Sequence, residues 1–170
     1  LAAFSPREIA MTKTVLTAVA VLLFAAVAVR AENEKTEPAD SWKAAAVSAK
    51  ITPQQPLPMA GYAGRKEPAE GTEQDLFAKA IAIEDSAGNR VVFITLDLIG
   101  VLAELRSAVA EQAQEKYQLP SSSLLMNASH THCGPAYGNA EAKEYLDSLK
   151  ETLVELVGQA LRRLEPAKLS

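Results

Sequence analysis

The chain has one cysteine, Cys133, and two histidines in its 170 residues. A lone thiol cannot close an intramolecular disulfide, and with no Cys-x-x-Cys pair there is no cysteine-based structural zinc site. Any metal must therefore lean on His, Asp, Glu or Tyr. Basic charge is also short: 17 Lys and Arg face 21 Asp and Glu for a net charge of −4, and the basic residues are scattered rather than clustered. That leaves no electrostatic footprint for nucleic acid. The glycine patterns of phosphate-binding and dinucleotide-binding loops are missing, so a nucleotide cofactor has no support. No internal repeat or low-complexity tract occurs. What is present, 48% hydrophobic and 22% charged residues, fits one globular domain, or at most two, and argues against a disordered chain or a multi-span membrane protein.

The one long apolar run is Val15 to Val29, broken only by Thr17, with Met11 and Lys13 before it and Arg30-Ala31 after it. It falls short of the roughly 20 residues a spanning helix needs. Small residues at 29 and 31 suit a signal peptidase, so residues 11–31 are expected to be a secretory signal cleaved after Ala31, with a retained N-terminal anchor as the alternative. Residues 1–10 precede the plausible start methionine and are expected to be an untranslated upstream extension. Removal of Arg7, Glu8, Lys13 and Arg30 leaves 14 basic against 20 acidic side chains, a charge of −6. The stretch 32–41 is charged, contains Pro38 and has no apolar period, as in a flexible leader.

From Trp42 onward the pattern is that of a fold. Ala45 to Ile51 is a short apolar run, and prolines 53, 56 and 58 forbid a regular helix through Met59. Strand and extended loop are predicted, the loop continuing through Gly61-Tyr62-Ala63-Gly64. Leu76 to Glu84 and Arg90 to Leu98 are β-prone stretches around Asp85-Ser86-Ala87-Gly88-Asn89, which predicts an antiparallel hairpin. The continuous run Val91 to Leu96 predicts a central strand buried on both faces. Leu102, Leu105, Val109 and Ala113 recur at helical spacing up to Leu119-Pro120. Ser123 to Ala128 is a further strand, and the β-α-β order makes it a parallel neighbour of the strand at 91–97. From Glu141 onward Leu146, Leu149, Leu153, Leu156, Ala160 and Leu164 lie on one helical stripe that packs on the core. Pro166 ends that helix, with no closing element expected after it. The fold class is α/β, a mixed β-sheet flanked by helices.

Both histidines sit two apart in Ser129-His130-Thr131-His132-Cys133-Gly134-Pro135, directly after a predicted strand. In extended backbone, residues i and i+2 share a face at about 7 Å, so the two imidazoles can converge on one ion or substrate. Gly134-Pro135 leaves them at the end of a sheet, where crevices form in α/β proteins. Spacing alone leaves a second reading open, a surface loop whose histidines bond nearby carbonyls. The metallo-β-lactamase pattern would need Asp and His where Gly134 and Pro135 stand. The amidohydrolase pattern would place the pair on the first strand of a barrel, whereas at least three strands precede it here. Asp97, at the end of the strand before, is a candidate partner for a histidine or else a local backbone cap. Ser121 to Ser123 lacks a nucleophile elbow. Cys133 beside His132 points to the opposite face of extended backbone, against a thiol–imidazole pair.

Five ordered segments carry a resemblance: Lys50-Ile51-Thr52-Pro53, Leu57-Pro58-Met59-Ala60-Gly61-Tyr62-Ala63, Leu76-Phe77-Ala78-Lys79-Ala80, Val91 to Asp97, and Ser129 to Pro135. Over about residues 45 to 170 the chain resembles the N-terminal part of the neutral/alkaline, non-lysosomal ceramidase family. The resemblance implies a secreted or periplasmic zinc (Zn2+) amidase that cleaves the N-acyl bond of ceramide, or of a related lipid amide, at a membrane surface. It makes His130 the zinc ligand, His132 a catalytic group beside it, and Gly61 and Tyr62 a substrate-facing loop. It also implies an incomplete N-terminal portion, 42–170, of a larger catalytic domain, inactive alone because a second His, a Glu and a Tyr that complete the zinc site lie beyond Ser170. The alternative from another class is a non-catalytic secreted binding or interaction remnant of the same scaffold.

Overall fold

The computed structural model describes residues 42–62, 65 and 67–168. The expected upstream extension, signal and leader all lie outside the described residues. Five strands and two helices run in the order β1 (Trp42–Lys50), β2 (Phe77–Glu84), β3 (Arg90–Leu96), α1 (Ala103–Tyr117), β4 (Leu124–Ala128), α2 (Lys143–Arg162) and β5 (Glu165–Ala167). Single 3-10 turns at Ser121–Ser123 and Ala140–Ala142 precede β4 and α2. The strands form one mixed sheet in the order β4-β3-β2-β1-β5. Only β3 and β4 are parallel, with Leu96 opposite Ala128. The remaining pairs are antiparallel.

The β2–β3 hairpin closes through Asp85. Its carboxylate accepts the Ala87 and Asn89 amides at 2.9 and 2.8 Å and the Asn89 side chain at 2.8 Å, while Gly88 takes a left-handed φ of +82°. The Asn89 side chain, followed by its backbone amide, holds the Asp85 carboxyl below the usual carboxylate value. α1 ends at Tyr117, where Gln118 turns left-handed and the Leu119 amide reaches back to the Ala113 carbonyl. That is the hydrogen-bond pattern of a helix C-cap.

Both helices cover one face of the sheet. The residues pointing to that face, Ala78, Ala80 and Ala82 of β2 and Val92, Ile94 and Leu96 of β3, are at most 1% exposed. α2 lies over β1 and β2 and against α1. The alanines of β2 leave room for it. Leu149, Leu153, Leu156 and Ala160 are buried as the sequence stripe predicts, and Val154, Val157 and Gly158 widen that stripe.

Two expectations are corrected. β3 is internal but not central, since β2 is the middle strand, and it is buried on one face only. Ala46, Ile81, Phe93 and Leu125 line up as register partners across four strands on the other face, and Ile81, Val91, Phe93 and Leu125 are between 38% and 52% exposed. No described element covers them. The chain also has a closing element: after α2, Glu165–Ala167 pairs with β1 as an edge strand, a place where Pro166 is tolerated because an edge position leaves one side of the strand unpaired.

The two faces should respond differently to truncation. Leu153→Ala should cost about 2–5 kcal/mol, and Ile81→Thr less than about 1 kcal/mol. Denaturant unfolding of the two variants checks this; equal losses would mean that the outer face is covered.

Candidate functional site

Because β3 and β4 are parallel neighbours, the segments that leave them emerge at the same edge of the sheet. The Ser129 amide extends the ladder by bonding the Leu96 carbonyl at 2.9 Å. The next residue, His130, then turns left-handed at φ +60°. The pair is therefore not on the extended backbone that the spacing suggested. Convergence survives for a different reason: the turn swings His130 so that its ring centroid lies 5.2 Å from that of His132, at 63°.

His130 Nδ1 lies 2.6 Å from the carbonyl oxygen of Ile99, in the segment that follows β3. A carbonyl can only accept, so Nδ1 carries a proton, and in the neutral ring the lone pair is then on Nε2. Asp97 does not take this part. Its carboxylate accepts the Phe77 amide at 3.0 Å and the Lys79 ammonium at 3.3 Å, which caps the sheet locally. Of the two alternatives for Asp97 the local cap holds, and the histidine's partner is a backbone oxygen two residues on. Tyr137 steadies that segment by donating to the Gly100 carbonyl at 2.5 Å. Tyr145, edge-on to Tyr137 at 6.3 Å, donates to the Ile51 carbonyl at 2.8 Å. Burial raises the pKa of both phenols. Cys133 is exposed, and its backbone amide donates to the Thr131 hydroxyl.

The proline-rich loop is stitched to the histidine segment. The Ala60 amide bonds the Gly134 carbonyl at 2.9 Å, the Ala136 amide bonds the Pro58 carbonyl at 2.7 Å, and Met59 bridges to Pro135. This brings Gly61 and Tyr62 to His132. Gly61 has φ +73°, and a Cβ there would come within 2.5 Å of His132 Nδ1; the position needs glycine for conformation and for space. Tyr62, also left-handed at φ 48°, sets its ring edge-on to His132 at 4.8 Å. Three of the five positive-φ residues among the described residues, Gly61, Tyr62 and His130, thus gather here; the two that are not glycine are the kind of strained backbone found at functional sites.

The four residues to which the resemblance gave roles, His130, His132, Gly61 and Tyr62, are therefore neighbours. Sequence reasoning missed Ile99, Tyr137 and Arg65. The first acts through its backbone and has no residue-type signal, whereas a tyrosine seven residues beyond His130 and an arginine three beyond Tyr62 were visible but unremarkable. Ser129, Thr131 and Cys133 line a broad open trough with Leu57, Met59 and Leu76, and neither histidine lines it. Among the described residues no helix is long and apolar enough to cross a membrane.

A mixed α/β sheet that presents a paired imidazole at the ends of two parallel strands is the architecture these residues define. Residues 47–150 match the family described as neutral/alkaline non-lysosomal ceramidase, N-terminal, and the chain belongs to that family. It is 27% identical over 124 residues to Neutral ceramidase A of Dictyostelium discoideum, covering 65% of this chain and 17% of that protein. It is 34% identical over 85 residues to Neutral ceramidase 2 of Arabidopsis thaliana, covering 45% of this chain and 10% of that protein. The fold is similar to that of the neutral ceramidase from Pseudomonas aeruginosa, with a TM-score of 0.68 at 23% identity over 75% of this chain and 22% of that one. The chain thus spans less than a fifth of the length of these curated relatives.

Gly61→Ala should destabilise more than Gly88→Ala. Both positions are left-handed, which costs an alanine about 1–2 kcal/mol, but only the Cβ at 61 meets a side chain. Thermal melts of the two variants, with the His132 ring resonances as a second readout, test this; equal losses would mean that the contact is absent. The tyrosines set an alkaline limit. Their folded pKa values are raised above the ordinary value near 10, so their contribution is whole below about pH 10 and is lost as pH climbs beyond it. Melts between pH 9 and 11 should show that decline, and Tyr145→Phe should flatten it.

Proposed function

We propose that this chain supplies the N-terminal part of a zinc-dependent amidase that cleaves the N-acyl bond of ceramide, or of a related lipid amide, to a sphingoid base and a fatty acid. Family membership and the names of its relatives, neutral ceramidases, support the reaction class. The observation that carries the zinc reading is the state of His130: its Nδ1–H is committed to the Ile99 carbonyl at 2.6 Å, which fixes the ring and frees Nε2. Zinc-ligating histidines make this same outer bond. His130 would hold the ion and His132 would stand beside it.

Two imidazoles do not make a catalytic zinc site, which takes three protein ligands. Among the described residues no group of three or more His, Cys, Asp or Glu could hold a metal, so the further donors would come from polypeptide outside them. Zinc held there would supply Lewis acidity toward the amide carbonyl and toward water at neutral pH. The chain's own residues orient and shuttle. Ile99 and Tyr137 keep His130 in one tautomer and one direction. His132 would assist the reaction from beside His130, and the Gly61-Tyr62 loop would face the substrate. The apolar run at 15–29 supports export to the periplasm or the exterior, where the lipid amide would be met at a membrane surface.

The second reading is a binding or interaction module without catalysis. One experiment separates the two. In a polypeptide of the relatives' length that carries this segment, His130→Ala should remove zinc and lower hydrolysis of a fluorescent N-acylsphingosine by at least about 100-fold. Undiminished turnover would take His130 out of the mechanism. An unsubstituted protein with neither zinc nor hydrolysis would leave the binding module.

A further inference from the structure

We propose that Arg65 is a positioning residue that locks His132 and Tyr62 against one another. Three anchors converge on this one side chain. Nη1 donates to the His132 carbonyl at 2.6 Å and to the Ala60 carbonyl at 3.4 Å. The guanidinium carbon lies 4.9 Å from the centre of the Tyr62 ring, inside the roughly 6 Å over which a cation is attracted to an aromatic face. The backbone amide of Arg65 bonds the Tyr62 carbonyl at 2.9 Å.

The arrangement explains how an exposed tyrosine keeps one orientation. Tyr62 is 64% exposed, and apart from its edge contact with His132 it has Arg65 on its face. The same guanidinium grips the backbone of His132, so phenol and imidazole are referred to a common cation. Arginine suits the task because its planar, permanently charged fork can stack and donate at once, whereas an ammonium is a point charge that cannot stack. The proposal assigns Arg65 no contact with substrate or metal. Its consequence for catalysis rests on the functional reading above; the positioning itself does not.

The test uses the whole 170-residue chain, with NMR on the histidine and tyrosine rings. In Arg65→Met the cross-relaxation between the Tyr62 and His132 rings should be lost, while the Nδ1–H tautomer of His130 and the thermal midpoint stay unchanged. Arg65→Lys, which keeps the charge and a donor but not the stack, should fall between. Ring-to-ring signals at full strength in Arg65→Met would overturn the proposal. So would their loss together with the His130 tautomer and the fold, since Arg65 would then be a general structural residue. The zinc reading is tested separately, by His130→Ala in a polypeptide of the relatives' length, so the ring-to-ring result stands on its own.

Discussion

The bond from His130 Nδ1 to the Ile99 carbonyl is the constraint on which the site depends. It exists because two parallel strands end at the same edge, so that the chain leaving β3 can meet the side chain leaving β4. An antiparallel neighbour would have put these segments at opposite ends of the sheet. The crossover through α1 therefore does chemical as well as architectural work: it returns the chain in the direction that lets a backbone oxygen choose the tautomer of an imidazole. A backbone acceptor suits that purpose, because it carries no charge of its own and cannot titrate.

The second half of the site is built from irregular structure. Prolines 56 and 58 keep the chain around Leu57 to Ala60 out of regular helix, and the amides and carbonyls of 58, 60, 134 and 136 satisfy one another across the two loops. Buried backbone polar groups require such partners. Gly61 then lets the backbone lie directly against His132. The outcome is a histidine held on one side by main chain and on the other by an aromatic edge.

Much of this was legible in the sequence. The hairpin announced itself through Asp85-Ser86-Ala87-Gly88-Asn89, both helices through their apolar spacing, and the parallel pair through β-α-β order. The histidine doublet was found from residue type and spacing, whereas the Gly61-Tyr62 loop took its place in the site from the family resemblance. Other features were hidden for physical reasons. The run Val91 to Leu96 reads the same whether both faces are covered or one stands open, because composition records the apolar side chain and not what lies over it. β5 is three residues long and contains a proline, so only its pairing with β1 defines it. Nothing about the histidine itself signals the left-handed turn at His130. The substitution of Ile99 for Asp97 as its partner reflects a carbonyl that every residue possesses.

The open face formed by Ala46, Ile81, Phe93 and Leu125 has a thermodynamic signature. The heat capacity gained when a protein unfolds, and the sensitivity of its stability to urea, both scale with the surface newly given to water. Side chains that are wet in the native state contribute little to either. A sheet that the described residues clad on a single side therefore contributes a broader, flatter stability curve than its residue count implies.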